Sequence, residues 1–175
     1  MKMKNFKDAI ISGLNEYLEA LLKALDNLNS HELRWQPSLE SNNIIYLVWH
    51  MARVEDNWIN KVIGGNETIW EKNNWGSKLK IYLDDGDYGK GYGKEDISNL
   101  PEMNIDKLLE FYLDQREASL KVINKLSEED LDKDYKRLTG ELKKGYWILG
   151  HVLVEESQHL GQIAYIRGMI KGLNK

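Results

Sequence analysis

The sequence predicts an all-α protein, a four-helix bundle with long crossover connections. Apolar residues recur every three or four positions in four separate stretches, each long enough for a bundle helix. Two long polar or glycine-rich stretches lie between the later ones, as in bundles whose helices are joined by crossovers. The chain has only two prolines, Pro37 and Pro101, and few alternating β-branched runs that would indicate strands. A length of 175 residues fits one domain, residues 1–175.

The first helix spans residues 3–28, with Phe6, Ile10, Leu14, Leu18, Leu21, Leu25 and Leu28 as its apolar stripe. A turn-rich connector punctuated by Pro37 follows. Ser41 or Asn42 caps the second helix, which runs from about Asn43 to Val62. Its stripe is Leu47, Met51, Val54, Trp58 and Val62, and Gly64-Gly65 stops it. Residues 66–103 break the periodicity: Trp70, Trp75, Tyr82, Tyr88 and Tyr92 alternate with Gly76, Gly86, Gly89, Gly91 and Gly93. A connection of this length is expected to cross the bundle, either closing its aromatics over a pocket or only covering core surface. A third helix spans Ile105–Leu126 with Leu108, Leu109, Tyr112, Leu113, Leu120 and Ile123 inward. Then comes a polar connector in which Ser127 and Asp130 resemble a capping box. The last helix runs from Tyr146 to Leu173.

Composition narrows the function. The net charge is −4 and acidic and basic residues are interleaved, so no basic stripe suits nucleic acid. No segment approaches the roughly 20 apolar residues of a membrane span, and the N-terminus has no signal-peptide pattern, which makes a cytoplasmic location the expectation. The absence of cysteine excludes disulfides, thiolate metal sites and a cysteine nucleophile. Any metal ion must be held by nitrogen and oxygen.

Chemistry concentrates around the histidines, of which there are four. His151 and His159 share the last helix with Glu155 midway between them. Each step of four residues turns about 40° past a full turn and rises about 6 Å, so Glu155 and His159 can meet one ion. His151 sits a turn earlier on nearly the same side. His50 lies among the apolar positions Leu47, Met51 and Val54 of the second helix and is expected to point inward. An imidazole from one helix facing a carboxylate and an imidazole from another is a recurring metal site of bundles. Two nitrogens and one oxygen suit zinc, nickel, iron or manganese, and three protein ligands leave a position open, as in catalytic sites. The bland alternative is a set of hydrogen-bonded histidines and a helix-surface Glu-His pair. No HExxH or ExxH motif is present, so the zincin and di-iron templates do not apply. His31 is read as structural or solvent-facing.

WQPSLESNNIIYLVWHMARVEDNWI around His50 and GYWILGHVLVEESQHLGQIAYIRG around His159 resemble the DinB/YfiT-like superfamily of metal-dependent helical bundles. The most specific feature is an inward histidine in the second helix paired with a histidine just before x-Gly-Gln in the last. In the commonest version of the superfamily the third ligand is a histidine where this chain has Glu155. The mycothiol-dependent maleylpyruvate isomerases, which are similar, use a His, Glu, His set. The resemblance therefore implies His50, Glu155 and His159 as ligands, with His151 as a neighbour or, if the helix is rotated, an alternative ligand. It also implies a low-molecular-weight thiol such as mycothiol or bacillithiol as cosubstrate of a small electrophile, and a homodimer as a candidate assembly.

Around that centre, Arg53 and Arg167 are expected to pair with nearby acids such as Glu55, Asp56 or Glu156, with holding a carboxylate of the cosubstrate as the alternative. Gln162 is a candidate donor to a ligand carboxylate. Asn57, seven residues after His50, returns to the same face and is expected to line the pocket. Trp49 and Trp58 are assigned to the core or a subunit contact. A metal-dependent hydrolase and a non-catalytic metal-binding or interaction module of the stress response are the competing functions.

Overall fold

A computed structural model describes residues 5–83, 87–137 and 139–172. The first helix, α1 (Phe6–Leu25), starts at Asn5, whose side chain accepts from Lys7 N, and ends before Asn27, which takes a left-handed φ of 58°. Met3 and Lys4, placed on this helix by periodicity, lie outside the described residues. The connector that follows contains a short helix, α2 (Ser30–Arg34), and His31 is exposed on it.

The second bundle helix begins at α3 (Ile44–Glu55), where Asn43 accepts from Tyr46 N at 2.9 Å, one residue beyond the caps expected from sequence. It continues as a π-helical segment over Asp56–Ile63. This helix is buried on every side from Ile44 to Asn60 rather than along one stripe, because other elements surround it.

The long connection is ordered around three short helices, α4 (Ile69–Lys72), α5 (Trp75–Leu79) and α6 (Lys94–Asn99). Trp70 and Trp75 drop into the core against Phe111, while Tyr82 is exposed. Gly86, counted in the glycine pattern, lies outside the described residues. Asp56 explains how α4 is tethered: its carboxylate accepts from Ile69 N at 2.8 Å and Trp70 N at 2.9 Å.

α7 (Ile105–Lys125) buries Leu108, Tyr112 and Ile123 of the expected stripe, together with Phe111, but Leu113 is exposed. The inner face instead carries Gln115, Arg116 and Ser119, which periodicity of apolar residues cannot reveal. The polar connector after it folds as α8 (Glu128–Asp132) and a hairpin of β1 (Asp134–Lys136) with β2 (Leu142–Lys144), antiparallel with Tyr135 opposite Lys143. Asp130 does close on Ser127 N, at 2.8 Å. The chain then enters α9 (Gly145–Lys171); Leu173, the expected helix end, lies outside the described residues.

α1 packs on α9, α9 on α3, α3 on α7, and α7 closes back on α1. Two apolar clusters fill the bundle. Between them runs a buried polar layer. Arg116 bonds both oxygens of Glu55 at 2.9 Å, reaches Tyr112 Oη and the Leu14 carbonyl, and lies 3.3 Å from Glu156. No described helix is long and apolar enough to cross a membrane.

The loop before α6 approaches α3 closely at Gly89. Its φ is 82°, and a Cβ there would sit 2.6 Å from the Trp49 ring. Tyr46 Oη donates to the Gly89 carbonyl at 2.8 Å. Gly89→Ala is expected to destabilise the protein by about 2–4 kcal/mol, the sum of left-handed strain and overpacking. Thermal unfolding checks this; a variant as stable as wild type would show that the loop does not need this approach.

Candidate metal centre

His50 is held in place by the loop above it. Its Nδ1 donates to the Tyr88 carbonyl at 2.5 Å, which turns Nε2 toward Glu155. That loop is itself pinned: Arg53 Nη2 donates to the Asp87 carbonyl at 2.6 Å, and the Asp87 carboxylate accepts from Gly89 N and Tyr92 Oη at 2.8 Å. Across from His50, α9 presents Glu155 and His159. His159 Nδ1 donates to Gln162 Oε1 at 2.9 Å, again turning Nε2 toward the carboxylate.

The three donors converge. Glu155 Oε2 is 3.2 Å from His159 Nε2 and 3.8 Å from His50 Nε2, and the ligand atoms of all three residues lie within 4.8 Å of one another. Donors on a tetrahedral ion bonded at about 2.0–2.2 Å stand roughly 3.3–3.6 Å apart. The residues present therefore fit a divalent ion with small adjustments. Both imidazoles have the outer-shell acceptor that metal-binding histidines ordinarily use to fix ring and tautomer.

The electrostatics favour a cation. Hydrogen bonds from His159 and then His50 hold the Glu155 carboxyl well below the usual carboxylate range, although burial opposes them. Burial pulls the His159 imidazole down, but its bonds to Glu155 and Gln162 outweigh that and raise it. His151 stands beside the cluster: its Nε2 is 3.5 Å from Glu155 Oε1, the oxygen turned away from the other two histidines. Its ring stacks on Trp147 with centroids 4.5 Å apart and meets Trp58 edge-on. Burial lowers its pKa, opposed by Glu155 and reinforced by Arg137, Lys90 and Lys143.

These groups line a cleft of about 570 Å³ whose walls include Tyr46, Tyr88, Tyr92, Trp58 and Trp147. Of the aromatics in the long connection, Tyr88 and Tyr92 thus face the cleft. Trp49 is fully buried beneath it, whereas Trp58 forms part of its wall. The other residues singled out by sequence are placed elsewhere. Asn57 is buried but does not line the cleft; the π-helical register breaks the seven-residue return to the face of His50. Arg53 lies over the Trp70 ring at 4.5 Å, under the loop rather than in the cleft. Arg167 donates to the Ala24 and Asp26 carbonyls at the end of α1. Gln162 accepts from the His159 imidazole instead of donating to the carboxylate.

The hairpin supplies what sequence reading missed. Arg137 and Lys143 line the cleft, with Arg137 Nη2 donating to Tyr88 Oη at 2.6 Å. Gly140, at a φ of 86°, marks the turn between their strands. It is a hairpin signal too short to stand out in a polar connector.

A model of the mycothiol-S-transferase family matches residues 9–172, which is nearly the whole bundle and all of the cluster. The chain belongs to this family. The mycothiol-S-transferase fold is also shared by a solved structure described as a conserved protein from Enterococcus faecalis. The two superpose with a TM-score of 0.85 at 17% identity, over 97% of this chain and 99% of that one. At that identity the likeness concerns the fold. No curated protein matches the sequence. Within the family frame, the observed arrangement is a His, Glu, His cluster at the foot of an aromatic cleft.

Proposed function

We propose that the protein is a divalent-metal-dependent transferase that activates a low-molecular-weight thiol of the mycothiol type and delivers its sulfur to an electrophilic small molecule. The observation that carries this is the convergence of His50 Nε2, Glu155 Oε2 and His159 Nε2 in an accessible cleft, with both Nδ1 atoms already engaged. Family membership supports the thiol and the transfer. A divalent cation bound by these residues would supply the Lewis acidity that lowers a thiol's pKa.

The chain's own residues do the rest. The Tyr88 carbonyl and Gln162 Oε1 keep the two imidazoles from rotating, so the site is organised before a ligand arrives. Tyr88, Tyr92, Trp58 and Trp147 shield one side from water. In the transfer, the sulfur–hydrogen bond breaks, a carbon–sulfur bond forms, and the leaving group departs from carbon with the bonding pair. His151, on the cleft wall and 3.5 Å from Glu155, would receive the thiol proton in this reading.

The test is reconstitution with zinc, nickel, manganese or iron, followed by measurement of bound metal and of chloride release from 1-chloro-2,4-dinitrobenzene in the presence of a small thiol. About one ion per chain, with turnover that chelation removes and metal restores, is the expected result. Turnover indifferent to chelation overturns the proposal. Hydrolysis of the electrophile without thiol would move the assignment to activated water.

A further inference from the structure

Three side chains on one face of α3 donate to three consecutive backbone carbonyls of the loop above it. Tyr46 Oη reaches the Gly89 carbonyl at 2.8 Å, His50 Nδ1 that of Tyr88 at 2.5 Å, and Arg53 Nη2 that of Asp87 at 2.6 Å. Steps of four and three residues return to the same side of a helix, so the loop lies along this face in the opposite direction, one carbonyl to each turn. The middle bond is the one that braces a candidate ligand. Its acceptor belongs to the peptide joining Tyr88 to Gly89, and the direction of that carbonyl depends on ψ of Tyr88 together with φ of Gly89. Gly89 has a φ of 82° and, lacking a Cβ, takes either sign of φ at little cost. The peptide is therefore free to turn over unless the peptides on both sides of it are held.

Tyr46 holds one side but also stacks on the His50 ring and lines the cleft. Arg53 holds the other side and does neither: it is 1% exposed and outside the cleft. Its Nε and Nη1 have no hydrogen-bond partner among the described residues, so the Asp87 carbonyl is the acceptor this guanidinium serves. The Trp70 ring, 4.5 Å away, supports the guanidinium from beneath. The buried carboxylate of Asp56 is bonded by Ile69 N, Trp70 N and Asn60 Nδ2 instead. Incomplete hydrogen bonding makes a buried cation a poor device for stability. What Arg53 does accomplish is to fix the peptide that precedes Tyr88.

We propose that Arg53 is a positioning residue for His50: by holding the Asp87 carbonyl it stops the Tyr88–Gly89 peptide from turning, which keeps the imidazole proton on Nδ1 and Nε2 toward Glu155. Its consequence for metal affinity rests on the metal reading above; its effect on the imidazole does not. Long-range proton–nitrogen correlation spectra of metal-free protein, in alkaline solution where imidazoles are neutral, report which ring nitrogen carries the proton. His50→Gln and His159→Gln assign the two rings. Wild type is expected to show His50 protonated on Nδ1 alone. Arg53→Met should give His50 a mixture of both tautomers and leave His159 unchanged. Zinc affinity, from competition with a chelator, should fall roughly 10-fold, as on loss of outer-shell support. Should Arg53→Met not fold, Arg53→Lys, which keeps the charge but not the planar fork, takes its place. A variant whose His50 stays protonated on Nδ1 alone, or in which both rings change alike, would overturn the proposal. A tautomer change confined to His50, in a protein whose wild type binds no zinc, would uphold it while the metal reading failed.

Discussion

His159→Ala is expected to lower the affinity for a divalent ion by a few hundredfold. A structural zinc site binds with about 10–16 kcal/mol shared among four ligands, so one ligand is worth about 2.5–4 kcal/mol, at 1.4 kcal/mol per factor of ten. Glu155→Ala should do the same, and more broadly, because its carboxylate is the contact common to His50, His151 and His159. Gln162→Ala leaves all three donors in place but frees the His159 ring to turn, so a loss of roughly 10- to 100-fold is expected. Competition with a fluorescent chelator measures all three variants on one scale, and circular dichroism establishes that each is folded. The grading matters as much as the size: equal affinity in wild type and His159→Ala would remove the metal centre from the account. Retention in Gln162→Ala would show that helix packing alone fixes the ring.

Arg116→Met is expected to destabilise the fold by about 3–5 kcal/mol, because it strips the partner from a fully buried carboxylate, and on the order of 10 °C in melting temperature. Glu55 has its side chain wholly buried and, among the described residues, would retain only Gln115 Nε2 at 3.1 Å. Burial and the nearby Glu55 already push Glu156 up to about 7, with Arg116 opposing them. Loss of Arg116 removes that opposition. Replacing Glu55, Arg116 and Glu156 together with apolar residues of similar volume should recover much of the stability, since the penalty of the single change is an orphaned charge rather than a lost attraction. Thermal melts of the single and triple variants decide this. The layer also bears on the centre. Glu156 faces Arg116 while its neighbour Glu155 faces the cleft, so α9 is held in one rotation by both.

That rotation separates what sequence shows from what it does not. Helix periodicity was enough to find the four bundle helices and to bring Glu155 and His159 to one side of the last, because a 3.6-residue repeat is a local property. The inward direction of His50 followed in the same way from its apolar neighbours. Local spacing could not choose between His151 and the His50–His159 pair across Glu155. That choice depends on how α9 is turned against α3, which the Arg116 layer and the edge-on contact of His151 with Trp58 constrain. Nor could it place Asn57, since a π-helical segment shifts the register after Glu55.

By itself, then, the sequence determined an all-α bundle, a nitrogen and oxygen donor set without thiolates, and the residues able to supply it. Only the tertiary structure decided where the cleft's charge comes from and how the candidate ligands are braced. Arg137 and Lys143 sit on a hairpin more than 80 residues in sequence from His50, and the brace on His50 is a backbone carbonyl of a distant loop. Backbone carbonyls are identical in every residue and carry no sequence signature, and contacts between remote segments are set by packing rather than by local propensity.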